Sequence, residues 1–114
     1  MSDIVYLNNQ FVPKEQAKIS VFDRGFLFAD AVYEVTAVID SHLIDFEGHF
    51  QRLQRSCKEL GLSLPITKAQ LINVHQRLIK NNHLHEGLIY LQITRGTDSS
   101  RFFDFPASSI PSTI

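Results

Sequence analysis

Tryptophan is missing from the 114 residues, and cysteine and methionine occur once each. A lone Cys57 excludes an intramolecular disulfide, so the fold must rest on its core, and a reducing, cytoplasmic setting is expected. Neither charge is in excess: 11 Lys and Arg stand against 12 Asp and Glu, a formal net charge of -1. Nucleic-acid and membrane-surface partners both need a basic surplus, so neither is expected. No apolar run is long enough for a transmembrane helix, and Met1-Ser2-Asp3 is not the basic start of a signal peptide. There is no Gly-rich phosphate loop, Cys-x-x-Cys or serine nucleophile elbow. His83 and His85 are the only close histidine pair and have no third ligand in spacing, so no metal site is expected.

What is present is ordinary globular composition, 44% hydrophobic and 20% charged. A chain of this length can bury roughly 60–70% of its unfolded surface. Ile4 to Leu7 and Phe11 to Pro13 flank Asn8-Asn9, a hairpin signal. Lys14 to Phe22 reads as a connection with Ile19 and Val21 turned inward. Val32 to Ile39 is rich in β-branched residues and predicts a central strand. Tyr33, Val35, Ala37 and Ile39 share one face of it; Val32, Glu34, Thr36 and Val38 share the other. Asp40-Ser41 turns the chain into a second strand at His42-Leu43-Ile44.

Asp45 is a good N-cap for a helix from Phe46 to about Leu60, with a stripe of Phe46, Phe50, Leu53, Cys57 and Leu60 and Gly61 to end it. On that stripe Cys57 is expected to be inert core. Thr67 and Gln70 form a capping box for a helix reaching about Asn82, its stripe Leu71, Val74, Leu78 and Ile79. Leu88 to Arg95 is a third long strand. Residues 107–114, with four Ser/Thr and Pro111, read as a linker or frayed end. Together these predict an α+β two-layer sandwich, a mostly antiparallel sheet carrying two adjacent helices.

The chemistry centres on Asp23 to Val35. Asp23-Arg24-Gly25 is turn chemistry, with Gly25 free to take a positive φ, and Phe26-Leu27-Phe28 is an apolar knot. The turn delivers Tyr33 and Glu34 to the start of a strand. That fits a pocket edge and a plain loop-to-strand junction equally. Arg52 lies at or beyond the edge of the first helix's stripe, where a solvated arginine is the ordinary reading. Arg101 reads as a loop arginine.

The wording Asp-Arg-Gly-Phe-Leu-Phe-Ala-Asp-Ala-Val-Tyr-Glu-Val, from Asp23 to Val35, resembles the N-terminal signature of the class IV aminotransferases, except that Ala29 and Ala31 stand where glycine is usual. The likeness runs through Arg52 and Thr94-Arg95-Gly96 to Pro106, and within the family it is greatest to the D-amino-acid aminotransferases. The resemblance implies pyridoxal phosphate as cofactor, an amino acid and a 2-oxo acid as substrates, and a homodimer. It implies that Arg52 binds the cofactor phosphate, which suits an arginine's planar fork, while His49 one turn earlier packs or bonds structurally. Tyr33 and Arg101 would hold the substrate carboxylate, with Phe103 standing where the family has a histidine donor.

The family's catalytic lysine lies in a second, C-terminal domain. None of Lys14, Lys18, Lys58, Lys68 and Lys80 sits in a stretch resembling it. Residues 1–106 are therefore expected to be the N-terminal domain and 107–114 the start of the interdomain linker, the fragment by itself being inactive. The alternatives are a branched-chain aminotransferase or aminodeoxychorismate lyase domain, or a non-catalytic association module.

Overall fold

Two-residue turns shape both ends of the fold. The computed structural model describes residues 3–99, 101, 104–106 and 110–114. Strands β1 (Ile4–Leu7) and β2 (Gln10–Pro13) pair antiparallel through Asn8 and Asn9, both at positive φ (46° and 72°). That backbone matches strand twist, and asparagine tolerates it. Asp40 and Ser41 repeat the device (51° and 60°) between β3 (Ala31–Ile39) and β4 (His42–Leu43).

Asp23 opens a short helix, α1 (Arg24–Phe28), by accepting a hydrogen bond from the Gly25 N–H. The positive φ expected at Gly25 falls instead on Ala29 (φ 54°), which ends α1. Gly25 is needed for another reason: a Cβ there would collide with Thr94 Cγ2. The apolar knot is opened out too, because Phe26 is exposed. Ile19 and Val21 are likewise exposed rather than turned inward, since the connection runs over the surface.

Helix α2 (Phe46–Leu60) begins at Asp45, whose carboxylate accepts from Gly48 N–H, and ends at Gly61 in the left-handed region. Helix α3 (Lys68–Asn81) has the full Thr67–Gln70 capping box. Strand β5 (Gly87–Thr94) pairs antiparallel along the length of β3, from Ala31–Thr94 to Val38–Gly87. The strand order is β4-β3-β5, with β1-β2 as a separate two-stranded sheet. All described pairings are antiparallel, and the two helices cover one side, as expected for a two-layer α+β fold.

Alternation decides where the core sits. Val32, Glu34, Thr36 and Val38 face the helices and are buried; Tyr33 and Ile39 face outward and are exposed. Val32 and Ile93 pack with Phe50, Leu53, Cys57 and Leu71, and a smaller cluster joins Val38, Ile79 and Ile89. Burial raises the Cys57 thiol pKa, so it behaves as core. Buried His75, on the α3 stripe, bonds the Leu71 carbonyl through Nδ1. The final residues are not frayed: Thr94 N–H donates to Thr113 O at 2.9 Å, and Ile114 packs on the main cluster.

Candidate functional site

Burying one face of β3 puts a carboxylate, Glu34, under α2, where it needs counter-charge and hydrogen bonds. Two residues one turn apart on α2 supply them. Arg52 donates from Nε to Glu34 Oε2 (2.8 Å) and from Nη2 to Oε1 (2.9 Å); His49 Nδ1 lies 2.7 Å from Oε1. The Glu34 side chain is 5% exposed, that of Arg52 57%. Hydrogen bonding by Arg52 holds the Glu34 carboxyl below its ordinary pKa despite burial, with His49 adding to the effect. Reciprocally, Glu34 raises Arg52, and the nearby Tyr33 phenol contributes in the same direction.

Two of the five guanidinium N–H groups of Arg52 are therefore engaged. Among the described residues the other three have no partner, and they stand at the surface. A fork held on one side and open on the other suits a phosphate, which accepts several charged hydrogen bonds. The donor set on this chain thus fits the phosphate of pyridoxal phosphate.

Tyr33 points the other way. It is 63% exposed, so the buried, satisfied tyrosine common in strands is not what is found. Its ring stacks on Tyr90 (5.7 Å between centroids, 17° between planes), and Tyr90 OH donates to Gln92 Oε1 at 2.8 Å. Ile39 and Leu88 extend this exposed apolar face. Arg101 is exposed; among the described residues no hydrogen bond, ion pair or ring contact joins it to Tyr33. Phe103 lies outside the described residues.

A second carboxylate cluster lies at the start of β3. Asp30 Oδ2 accepts from Arg24 Nε (2.9 Å) and Arg95 Nε (2.7 Å), and Oδ1 accepts from Arg95 Nη2 (3.2 Å). Arg95 also bonds the carbonyls of Leu60 (2.7 Å) and Gly61 (3.4 Å), tying the end of α2 to the strands. Its guanidinium and that of Arg24 lie over the rings of Phe105 and Phe28. Burial alone would raise the Asp30 carboxyl, but the bonds and charges of both arginines outweigh it and hold it below its ordinary value.

The sequence puts Arg52 and His49 on their helix, but it sets Glu34 only at a possible pocket edge and Arg24 only in a turn, and it gives Asp30 and Arg95 no partner. A signal for Glu34 existed: it shares a strand face with Val32, Thr36 and Val38. Had that face been known as the buried one, the carboxylate would have demanded a cation on the covering helix. No local signal marks Arg95, whose partner Asp30 is 65 residues away.

The Amino-transferase class IV family model matches residues 31–114. The D-alanine aminotransferase of Staphylococcus epidermidis is 40% identical over 110 residues, covering 96% of this chain and 39% of that protein. That of Listeria monocytogenes is 33% identical, covering 93% and 38%. The chain thus spans about two fifths of the length of these curated relatives. Among solved structures, the branched-chain amino acid aminotransferase of Escherichia coli superposes with TM-score 0.87 at 24% identity over 99% of this chain and 38% of that one, a likeness of fold. The 4-amino-4-deoxychorismate lyase of Pseudomonas aeruginosa does so with TM-score 0.64 at 31% identity, covering 85% and 34%. A signature that runs from an N-capped turn into the strand bearing Glu34, a matching family model and relatives at this identity establish that the chain belongs to the class IV aminotransferase family.

Proposed function

We propose that this chain is the N-terminal, phosphate-gripping part of a pyridoxal-phosphate aminotransferase acting on a D-amino acid and a 2-oxo acid. The observation that carries the reading is the half-engaged fork of Arg52, held by Glu34 and open to solvent. When bound, pyridoxal phosphate supplies the electron sink that lets an amino group pass between the two substrates. Arg52 binds its phosphate. Glu34 fixes the plane of the guanidinium, and His49 fixes Glu34. The Tyr33 phenol, free of hydrogen bonds among the described residues, can donate one to a substrate carboxylate, and Arg101 supplies the counter-charge. The D-amino-acid preference follows the likeness to D-alanine aminotransferases.

The five lysines leave the proton-shuttling group to a second domain. Lys14 and Lys68 are themselves engaged with Asp3 and Glu47. The exposed face of Tyr33, Ile39, Leu88 and Tyr90 is the surface we assign to that domain, within a cytoplasmic homodimer. Among the described residues no helix is long and apolar enough to cross a membrane. By this reading the chain alone binds a phosphorylated cofactor weakly and does not transaminate.

The test is an NMR titration of the 114-residue chain with pyridoxamine 5′-phosphate, against pyridoxamine as the control lacking phosphate. Arg52→Ala should weaken phosphate-dependent binding by roughly 10- to 150-fold, the value of one charged hydrogen bond. Arg52→Lys should recover only part, because a point charge does not reproduce the fork. Equal binding by the parent and Arg52→Ala, both folded, would remove the basis of the proposal.

A further inference from the structure

The inner face of β3 carries a second polar residue beside Glu34. Thr36 follows two positions later on the same face and is 2% exposed. Its β-branched side chain suits the strand, but among the described residues its hydroxyl has no hydrogen-bond partner. A buried hydroxyl left in that state is costly, so burial demands a partner. His75 on α3 poses the same demand. It is 3% exposed, and its Nδ1 lies 2.8 Å from the Leu71 carbonyl oxygen. A carbonyl only accepts, so Nδ1 carries the ring proton. Burial keeps the imidazole neutral, which leaves Nε2 an acceptor, again without a partner among the described residues.

Both residues border one small cavity between β3, α2 and α3. Its volume is about 10 Å³, and Glu34, Thr36, His49 and His75 line it with Phe50 and Leu53. A water needs roughly 10–15 Å³ and two to four polar partners, so the space takes one water and nothing larger. Glu34 has an acceptor site to spare. Its carboxylate offers about four, and Arg52 and His49 occupy three, one on Oε2 and two on Oε1. The cavity thus brings together one hydroxyl able to donate and two groups able only to accept. A water matches that set, because it accepts from the first and donates to the other two.

We propose that this cavity is the binding site of a single structural water, which accepts from the Thr36 hydroxyl and donates to His75 Nε2 and to the Glu34 carboxylate. Three hydrogen bonds are the usual complement of a buried water. The bonded chain Arg52–Glu34 would then continue through the water to α3. The carboxylate that aligns the Arg52 guanidinium would rest on α2 directly, through His49, and on α3 through the water. The sequence gives no hint of this, since Thr36 and His75 are far apart along the chain and meet only when both helices close over β3. The inference concerns the groups behind Glu34 and does not depend on the cofactor reading.

The experiment joins a crystal structure of the chain to the ¹⁵N chemical shift of His75 Nε2 in solution. The crystal should show one ordered water within about 2.6–3.2 Å of Thr36 Oγ1, His75 Nε2 and a Glu34 carboxylate oxygen. Thr36→Val keeps the shape and removes the hydroxyl; the water should be lost and the Nε2 signal should move downfield, toward a ring nitrogen that accepts no bond. Thr36→Ser keeps the hydroxyl and should keep both the water and the parent Nε2 shift. A dry cavity in the parent crystal would overturn the proposal. So would an Nε2 shift that is the same in the parent and in folded Thr36→Val, because the nitrogen would then be satisfied by bulk solvent or by nothing.

Discussion

Asp30 stands just before β3 and Glu34 lies within it; both are buried carboxylates, and both are gripped by arginine through two or more bonds. Around Asp30 the cations are buried too. The Arg24 side chain is 2% exposed and that of Arg95 13%, and Arg95 also bonds backbone carbonyls. Around Glu34 the cation is largely in water, with donors to spare. The chemistry of the pair is the same in both places. What differs is whether the arginine is enclosed: the Asp30 cluster is a clamp of the fold, whereas Arg52 keeps exposed the donors that the proposed function gives to a phosphate. A buried charge left alone is costly, whereas a half-exposed one can return to water.

The sharpest way to break the comparison is Asp30→Asn. It would remove the carboxylate that two enclosed guanidinium groups share, and stability should fall by about 3–5 kcal/mol. Glu34→Gln removes a carboxylate whose main partner can rehydrate, so the loss should be nearer about 1–2 kcal/mol. Urea denaturation of the three proteins at neutral pH measures both. Equal losses would mean that exposure of the cation does not divide the two clusters.

A backbone change beside Asp30 should act in the opposite direction. Ala29 holds a left-handed φ of 54°, at the position where the family commonly carries glycine. An L residue there costs about 1–2 kcal/mol, partly offset by the entropy that glycine loses on folding. Ala29→Gly should therefore stabilise by about 0.5–1 kcal/mol, read from the urea midpoint at constant slope. Destabilisation would show that the alanine methyl makes a contact worth more than the strain.

Acid titration gives the finest comparison. Folded-state pKa values of Asp30 and Glu34 lie below the values of 3.8 and 4.5 taken for the free groups. Between the free and folded values the unfolded chain binds more protons, so stability falls as pH falls through that window. His75, pushed below 6.5 by burial with the Leu71 carbonyl opposing, has the same sign in a higher window. Stability should thus decline in two steps on acidification. The first begins below about pH 6.5 and should vanish in His75→Gln; the second begins below about pH 4.5 and should shrink in Glu34→Gln and Asp30→Asn. A first step that persists in His75→Gln would assign it to another group.

Much of the local structure was legible beforehand because its causes lie within a few residues. Asp45, Gly61, Thr67 and Gln70 mark helix ends through bonds that span at most four positions. Asn8-Asn9 and Asp40-Ser41 mark their turns by tolerance of positive φ. The same locality misled at Gly25, where a tight fit against Thr94 rather than a turn explains the glycine, and at Ile19 and Val21, which find no core to enter.

By itself the sequence determined the order of the strands and the two long helices, the family, and the helix on which Arg52 would stand. Only the tertiary structure decided which face of β3 is buried, because both faces of that strand carry apolar residues. From that choice follow the Arg52–Glu34 fork, the outward Tyr33 and the enclosed Asp30 clamp. These join residues 18 and 65 positions apart, and no local pattern encodes such a pairing. It arises because a carboxylate carried into the core by its strand must meet the nearest cation that packing brings to it.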